Sequence, residues 1–289
     1  VGFARVWARA KQIVTTDPTG ADDEDRIVDA AAERELARHA GELKGGVATV
    51  AQLVAYTGSG APDELRRLWD AAPAAGAAAI AGVVEAELGA PPAQVFARWE
   101  PTPIAAASLG QVHAAIDHDG RALAVKVQYP GIAEALAADV ASDGFVRRLA
   151  GLPLGRSLST ASLATLRAAI VGELDYRAEA DALERAGRAW AGDPVIAIPE
   201  VVRAHTTRRV LTMTRAPGVP IAELPAGDRA LHAEVAMAIV RFAWGTPCNH
   251  GFLNADPNPG NYLVETGDAT RVWFLDFGCT VDLDPAVVA

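Results

Sequence analysis

The chain has 289 residues, of which 51% are hydrophobic, and it carries a formal net charge of −10 at pH 7. This length and apolar content favour a globular protein with one two-lobed domain and an extension over two unrelated domains. The acidic balance argues against an extended basic surface for nucleic acid. The only cysteines, Cys248 and Cys279, argue against a disulfide framework or a zinc site, so a reducing, cytoplasmic setting is expected.

The first hundred residues are predicted to be helical. Apolar and alanine residues recur at helical spacing in residues 25–43 and 47–56, on either side of Gly45-Gly46. Further helical patterns cover residues 62–71, 75–88 and 91–99, and the last begins with proline, which a first helical turn tolerates.

A mixed pattern follows and indicates an α+β protein. Short strand patterns at 111–116 and 121–128 flank Asp117-His118-Asp119-Gly120, a hairpin signal. Helical spacing returns at 161–191, and two strands are expected within 195–214 before Pro217-Gly218. A helix is predicted at 232–244, and a hairpin from 262–264 to 271–276.

No segment is predicted to cross a membrane. The longest apolar run, residues 71–84, is short and is interrupted by Pro73 and Gly76. No charged and then apolar leader is recognised either, so no secretory signal is expected.

Two loops near the C-terminal end carry three oxygen-bearing side chains. Asp256 is followed five residues later by Asn261, and Asp276 opens an Asp-Phe-Gly sequence after a predicted strand. Protein-kinase-like enzymes use this arrangement for phosphoryl transfer, so Asp256 would accept the proton of a substrate hydroxyl. Asn261 and Asp276 would bind Mg²⁺, which prefers hard oxygen ligands. Tight turns are the alternative explanation of the loop residues, and the order of the motifs argues further against it.

Lys126 lies in the predicted strand LAVKVQ, where a kinase-like fold places the lysine that reaches the α- and β-phosphates. A lysine in a strand is otherwise often solvated. Upstream, the segment PIAAASLGQVH stands where a glycine-rich phosphate loop is expected, with Ala105, Ala106 and Ala107 in place of glycines and Ser108 as a nearby hydroxyl. Because alanine restricts the backbone, nucleotide handling is expected to differ.

Residues 210–214, followed by Arg215-Ala216-Pro217-Gly218, have the pattern of a strand and a hinge between lobes. Backbone groups of Thr214 and Ala216 would bond adenine, with Met213 behind the ring. A buried strand that ends in a Pro-Gly turn is equally compatible, since methionine commonly fills gaps in a core.

In this order, PIAAASLGQVH, AVKVQYPG, ELDYRAEA, ADPNPGN and LDFG resemble the UbiB/AarF family of atypical kinases over roughly residues 35–278. The resemblance implies a protein-kinase-like two-lobed fold and ATP or ADP with Mg²⁺. It also implies support of isoprenoid-quinone biosynthesis or lipid homeostasis, with lipid or biosynthetic partner proteins and peripheral membrane contact. The expected domains are a helical extension (1–100), an N-lobe (101–214), and a hinge with a partial C-lobe (215–289). Because the chain ends eleven residues after Gly278, we expect a truncated lower lobe.

The resemblance also assigns roles to acidic residues. It makes Lys126 the phosphate-anchoring lysine and Glu179 the helix residue that pairs with it. Glu173 and Asp175 match a Glu-x-Asp element that is associated in the family with the lysine of an N-terminal motif, here Lys44. We expect Asp175 and Glu179 to share a helix face, four residues apart. A solvated acidic helix is the alternative.

Three positions depart from the family pattern. Val47 replaces the glutamine of the Lys44 motif, and Asn254 and Asn258 stand where the family often has histidine. Both asparagines keep hydrogen-bonding capacity without a titratable group. The alternative to an active kinase or ATPase is a catalytically weak pseudokinase scaffold that senses nucleotide and recruits partner enzymes. It is supported by the alanines of the phosphate loop, by Val47 and by the expected truncation of the lower lobe. A small-molecule phosphotransferase is a third interpretation, but the helical extension argues against it.

Overall fold

The computed structural model describes residues 75–107, 109–134, 172, 174–256, 258–267 and 269–284. The helices predicted before residue 75, with the Lys44 motif, lie outside the described residues, as do Ser108 and Glu173. The chain divides into two compact units. The described part of the first unit consists of residues 75–80, 102–107, 109–112 and 128–134. The described part of the second unit consists of residues 81–101, 113–127 and the described residues from 172 onward. The three predicted domains remain a prediction.

The described elements are numbered here in chain order. The helices are α1 (Ala77–Leu88), α2 (Pro92–Val95), α3 (Tyr176–Ala189) and α4 (Arg229–His250). The strands are β1 (Arg98–Ala107), β2 (Gly110–Ile116), β3 (Ala122–Gln128), β4 (Ile196–Ala197), β5 (Val210–Thr214), β6 (Val219–Pro220), β7 (Phe252–Asn254), β8 (Tyr262–Glu265), β9 (Arg271–Phe274) and β10 (Thr280–Asp282). They form one sheet in the order β1-β2-β3-β5, a second in the order β4-β9-β8-β6, and a β7–β10 ribbon.

The predicted hairpin between β2 and β3 is confirmed. The Asp117 carboxylate accepts hydrogen bonds from the backbone N–H groups of Asp119 and Arg121, at 3.0 and 2.8 Å. Gly120 has a φ of +83°, which glycine adopts at little cost. β3 then pairs antiparallel with β5 and brings Lys126 opposite Leu211.

Helix α3 begins at a side-chain cap. Asp175 has an extended backbone, and its carboxylate accepts from the N–H of Arg177 at 3.0 Å, as N-cap residues do. Asp175 therefore precedes the helix, and the expectation that it shares a helix face with Glu179 is wrong. The buried side of α3 consists of Tyr176, Glu179, Ala180, Leu183 and Ala186. This helical spacing directs Glu179 inward although most charged residues of α3 remain solvated.

Helix α4 is longer at both ends than the predicted 232–244. Asp228 caps its start, and Gly251, with a φ of +69°, ends it. Near its C-terminal end the helix lies close to Trp190, the C-cap residue of α3, whose indole N–H donates to Thr246 Oγ1 at 3.1 Å. A Cβ atom on Gly245 would lie 2.9 Å from the Trp190 ring, so the contact requires a residue without a side chain.

The predicted hairpin at 262–276 is formed by β8 and β9, and β6 pairs with the outer side of β8. Gly218, directly before β6, has a φ of +103°. A Cβ atom at this position would lie 2.4 Å from the carbonyl oxygen of Val264. Glycine is therefore required twice, by the backbone angle and by the close approach of β8.

Two predictions between residues 91 and 107 are wrong. The helix predicted at 91–99 ends at Val95, and strand β1 begins at Arg98. Trp99 stacks on His113 of β2 with ring centroids 4.7 Å apart, and the His113 Nδ1–H donates to the carbonyl of Glu100 at 2.9 Å. These contacts favour strand pairing over the weak local helical preference. Ala105, Ala106 and Ala107 also lie in β1 and not in a loop.

The core of the larger unit packs α3 and α4 against the β4-β9-β8-β6 sheet. Phe242 of α4 stacks on Phe274 of β9 with centroids 3.9 Å apart, and its ring also contacts Phe277 edge-on. This aromatic contact fixes the sheet end from which residues 275–279 emerge. Among the described helices, none combines the length and apolar character needed to cross a bilayer.

Candidate active site

Lys126 and Glu179 form a buried ion pair. Lys126 Nζ lies 2.8 Å from Glu179 Oε1 and 2.9 Å from Oε2. The lysine side chain is 9% exposed and the glutamate side chain 5%. Strand β3 supplies the lysine and the first turn of α3 supplies the glutamate, so the pair joins two elements that are 53 residues apart in sequence.

Asp276 completes a three-residue charge cluster. Its Oδ2 atom lies 3.2 Å from Lys126 Nζ, and its Oδ1 atom accepts from the N–H of Gly278 at 2.9 Å. The Asp276 side chain is 30% exposed, in contrast to Glu179. Lys126 thus compensates two carboxylates, of which the one on Asp276 remains accessible to solvent.

The electrostatics keep Lys126 and Asp276 charged. Burial alone would lower the pKa of Lys126, but the charges of Asp276 and Glu179 outweigh it and hold this pKa well above its ordinary value. Burial would raise the pKa of Asp276, yet Lys126 and the N–H of Gly278 lower it. Lys126 is therefore an ammonium and Asp276 a carboxylate across the physiological pH range.

Tyr176 is a neighbour of the cluster that the sequence reasoning missed. Its buried ring lies under the lysine, with 5.1 Å between Lys126 Nζ and the ring centroid, within the range of a cation–π contact. The signal that would have found it is its position three residues before Glu179, on the same helix face.

Asp256 and Asn261 contact each other across a tight loop. The Asn261 amide nitrogen donates to Asp256 Oδ2 at 3.1 Å, which directs the amide oxygen away from that carboxylate. The loop is shaped by Asn258, whose side-chain oxygen accepts from the N–H of Gly260 at 3.0 Å. The carbonyl of Asn261 accepts from the N–H of Leu275 at 3.0 Å, and this bond joins the loop to the segment that carries Asp276.

Among the residues predicted to contact adenine, Met213 is buried in β5 opposite Ala124. The backbone N–H of Thr214 donates to the carbonyl of Glu200 at 2.8 Å, so it is already engaged within the protein. Ala216 is half-buried and lies between the exposed residues Arg215 and Pro217.

Asp175 has a structural role among the other predicted site residues. Asp175 caps α3, and its side chain bonds the helix backbone. Ala105, Ala106 and Ala107 belong to the smaller unit, where the first two are exposed and the third is half-buried. Lys44, Ser108 and Glu173 lie outside the described residues.

The donor set suits Mg²⁺ better than a transition metal. The described residues contain no group of three His, Cys, Asp or Glu side chains that could enclose a metal ion. Mg²⁺ commonly takes only one or two protein oxygen ligands and completes its shell with water and phosphate oxygens. The Asp276 carboxylate and the Asn261 amide oxygen match that requirement, so these residues fit the predicted metal.

A family model and curated relatives agree on one family. The profile of the ABC1 atypical kinase-like domain matches residues 67–288. The atypical kinase COQ8B, mitochondrial, of Rattus norvegicus is 35% identical over 199 residues, which are 68% of this chain and 37% of that protein. The probable protein kinase UbiB of Marinobacter nauticus is 32% identical over 233 residues, 77% of this chain and 42% of that protein. The chain thus spans less than half the length of both relatives.

A solved structure supports the same fold. The Rv3197–erythromycin complex from Mycobacterium tuberculosis superposes with a TM-score of 0.62 and 29% sequence identity. The match covers 90% of this chain and 67% of the other.

Proposed function

Because the chain belongs to the family of ABC1 atypical kinase-like domains and has a protein-kinase-like α+β fold, we propose that it binds ATP or ADP with Mg²⁺ and transfers or hydrolyses the terminal phosphoryl group. One observation carries the proposal: Lys126 is bonded at once to buried Glu179 and to the more exposed Asp276. Phosphoryl transfer needs a fixed cation beside a metal-binding carboxylate, and this cluster supplies both.

The charge balance of the cluster favours an additional cation. Lys126 faces two carboxylates, and Asp256 adds a third on the neighbouring loop. When bound, Mg²⁺ would neutralise charge on the phosphate oxygens and on this acidic cluster. Asp276 and Asn261 would hold it, and Lys126, still anchored by Glu179, would orient the α- and β-phosphates.

Asp256 is the proposed proton acceptor. Asn261 orients the Asp256 carboxylate by donating to its Oδ2 atom, and this carboxylate would receive the proton of the attacking hydroxyl or water. As the attacking oxygen bonds to the terminal phosphorus, the bond from phosphorus to the bridging oxygen breaks and the shortened nucleotide leaves. The acceptor of the phosphoryl group is not part of the proposal.

Adenine would be held by backbone groups beside β5. Since the Thr214 N–H already donates to Glu200, a bond from Thr214 to adenine would involve its carbonyl group, with Ala216 as the next partner. Met213 would line the pocket behind the ring. The alanines at 105–107, which end strand β1, and Ser108 after them remain the residues proposed to approach the phosphates.

The cellular role is proposed from the family. Membership of the family that includes UbiB-type kinases suggests that the protein supports isoprenoid-quinone biosynthesis or lipid homeostasis. It would act from a cytoplasmic location, with partner proteins and with peripheral contact to a membrane. Lys44, Glu173 and Asp175 would take part in the family's additional motif, in which Lys44 associates with the Glu-x-Asp element.

ADP release from Mg-ATP tests the chemistry. We expect turnover by the 289-residue chain and a loss of at least about a hundredfold in Asp276→Asn, because the carboxylate is both a metal ligand and a partner of Lys126. Asp119→Asn makes the same charge change in the exposed turn after β2 and should retain turnover. Equal background rates in the wild type and Asp276→Asn would refute catalysis.

The pseudokinase alternative gives a different result in the same samples. A nucleotide-sensing scaffold would show Mg²⁺-dependent ADP binding by calorimetry without any turnover in the wild type. The observation that favours it is the alanine segment, which lies in a strand and lacks the glycines of a phosphate loop.

A further inference from the structure

Asn254 stands where the two site loops are closest in the backbone. It is the last residue of β7 and lies opposite Thr280 of β10. Directly beyond this pair, the N–H of Ala255 donates to the carbonyl of Cys279 at 2.8 Å. The loop that carries Asp256 and the loop that carries Asp276 thus leave the β7–β10 ribbon side by side.

The side chain of Asn254 bonds both loops. Its amide nitrogen donates to the carbonyl of Asp276 at 2.8 Å, and its amide oxygen accepts from the N–H of Asp256 at 3.1 Å. The partners fix the orientation of the amide, because a carbonyl only accepts and a backbone N–H only donates. One half-buried side chain therefore connects the main chains of the proposed base and the proposed metal ligand.

The residue type matters because the two bonds have opposite polarity. A carboxamide donates and accepts at the same time, whereas a carboxylate only accepts and an aliphatic side chain does neither. No neighbouring described side chain makes this pair of bonds in its place. Asn258, the other asparagine of the loop, accepts with its side chain from the N–H of Gly260 within its own turn.

We propose that Asn254 is a positioning residue that sets the placement of Asp256 relative to Asp276 and thereby tunes the affinity of the site for Mg²⁺. The inference rests on the proposed function, since it concerns the same site. Partners that orient metal ligands typically change metal affinity by about 10- to 100-fold when they are lost, although they never touch the metal.

Three variants of the 289-residue chain separate the two bonds. N254D keeps the size of the side chain and the acceptor for Asp256 but loses the donor to Asp276. N254H, with a neutral ring, can offer a donor and an acceptor. N258D makes the same chemical change four residues away and keeps its own bond, since a carboxylate also accepts from Gly260, so it is the matched control.

ADP binding is measured by calorimetry over a series of Mg²⁺ concentrations. For N254D we expect the Mg²⁺ concentration for half-maximal ADP binding to rise about tenfold or more, with little change in ADP affinity in EDTA. N258D should match the wild type, and N254H should lie closer to the wild type than N254D does. A merely destabilised fold would weaken both affinities together. Equal Mg²⁺ dependence of N254D and N258D would overturn the proposal.

Amide hydrogen exchange without nucleotide gives a second readout. In N254D, peptides covering residues 253–262 and 275–282 should lose protection together, while α3 peptides keep theirs. If ADP binds neither to the wild type nor to any variant, the proposed function fails. The loss or retention of amide protection in N254D then tests the positioning role of Asn254 by itself. If N254D does not fold, N254H decides: wild-type Mg²⁺ dependence and exchange support the positioning role, and a tenfold shift overturns it.

Discussion

Lys126 and Glu179 stabilise each other, because a buried charge without an opposite partner is energetically costly. Both side chains are at least nine-tenths buried, and both Glu179 oxygens contact the same ammonium group. Breaking one side of such a pair strands a charge in the protein, which costs more than the pair contributes when intact. The cluster is therefore a structural element of the apo protein as well as a proposed binding site.

Lys126→Met should lower the free energy of unfolding by about 3–5 kcal/mol, because it leaves Glu179 buried without its ammonium partner. The double variant Lys126→Met/Glu179→Gln should recover part of this loss, since the neutral amide costs less to bury. Urea unfolding of both proteins without nucleotide measures the effect. A double variant less stable than the single one would contradict this explanation.

Glu87 provides a test of pH dependence away from the site. Its carboxylate accepts from the side chain of Thr207 and from Arg209 Nε, the latter at 2.8 Å. Burial would raise the pKa of Glu87, but these bonds outweigh it and hold the pKa below its ordinary value of 4.5. The charged form thus stabilises the fold above pH 4.5, and this contribution is lost as the pH falls through the folded-state pKa.

Glu87→Gln should therefore destabilise the protein by about 1 kcal/mol at pH 7, a value reduced for the partial solvent exposure of Arg209. The difference from the wild type should narrow as the pH falls below 4.5. Urea unfolding at pH 7, 5 and 4 measures it. A constant difference across these pH values would show that packing, and not charge, determines the effect.

Between elements, the contact of α3 with α4 depends on a missing side chain. Gly245 lets the Trp190 ring lie against α4, and the indole N–H reaches Thr246 from that position. Glycine inside a helix is otherwise unfavourable by roughly 0.5–1 kcal/mol relative to alanine. Close packing therefore offsets a local preference in this part of the core.

Gly245→Ala should destabilise the protein by about 1–3 kcal/mol despite the gain in helix propensity, because the new methyl group displaces Trp190. Gly187→Ala in α3 is the matched control: nothing lies within 4 Å of the added Cβ atom, so it should stabilise by about 0.5–1 kcal/mol. Thermal unfolding of both variants shows whether each substitution lowers or raises the stability of the fold. Stabilisation by Gly245→Ala would contradict the packing account.

The sequence predicted elements well where their pattern is local and long. The hairpin at Asp117–Gly120 and the α4 segment have turn or helical signals that need no distant partner. Strand β1 was missed because Trp99 and its neighbours become extended through contacts with His113, which a local pattern does not reveal. The two strands expected within 195–214 are present as β4 and β5, whereas the two- and three-residue strands β6, β7 and β10 are too short to show any period.

At the scale of the molecule, the order of motifs was more informative than any one motif. The ordered motifs indicate the family and point to Lys126, Glu179 and Asp276. Lys126 contacts both carboxylates, although Asp276 lies 150 residues after it in the sequence. Spacing alone could not predict the two hydrogen bonds that the Asn254 side chain makes, or the position of the Tyr176 ring beneath Lys126. These contacts depend on how strands and loops meet in three dimensions.

Ligand binding should appear in the stability of the whole molecule. ADP with Mg²⁺ at about one hundred times its dissociation constant should add about 2.7 kcal/mol to the free energy of unfolding and raise the melting temperature by roughly 5–8 °C. Asp276→Asn should remove most of this shift, and ADP with EDTA should give little. An equal shift in EDTA would mean that the nucleotide binds without the metal.

Gly218 limits the substitutions that this part of the sequence can accept. Its positive φ and the 2.4 Å approach to the Val264 carbonyl leave no room for a methyl group, so even the smallest substitution must push β8 away. Since β8 begins directly after Asn261, a displacement that begins at residue 218 would be transmitted to the loop of this proposed metal ligand. A glycine with no functional group of its own thus constrains which sequences keep the proposed site intact, although the long helix α4 and strand β7 separate it from Asn261 in the chain. A redesigned segment at residue 218 would have to keep glycine for the same reason.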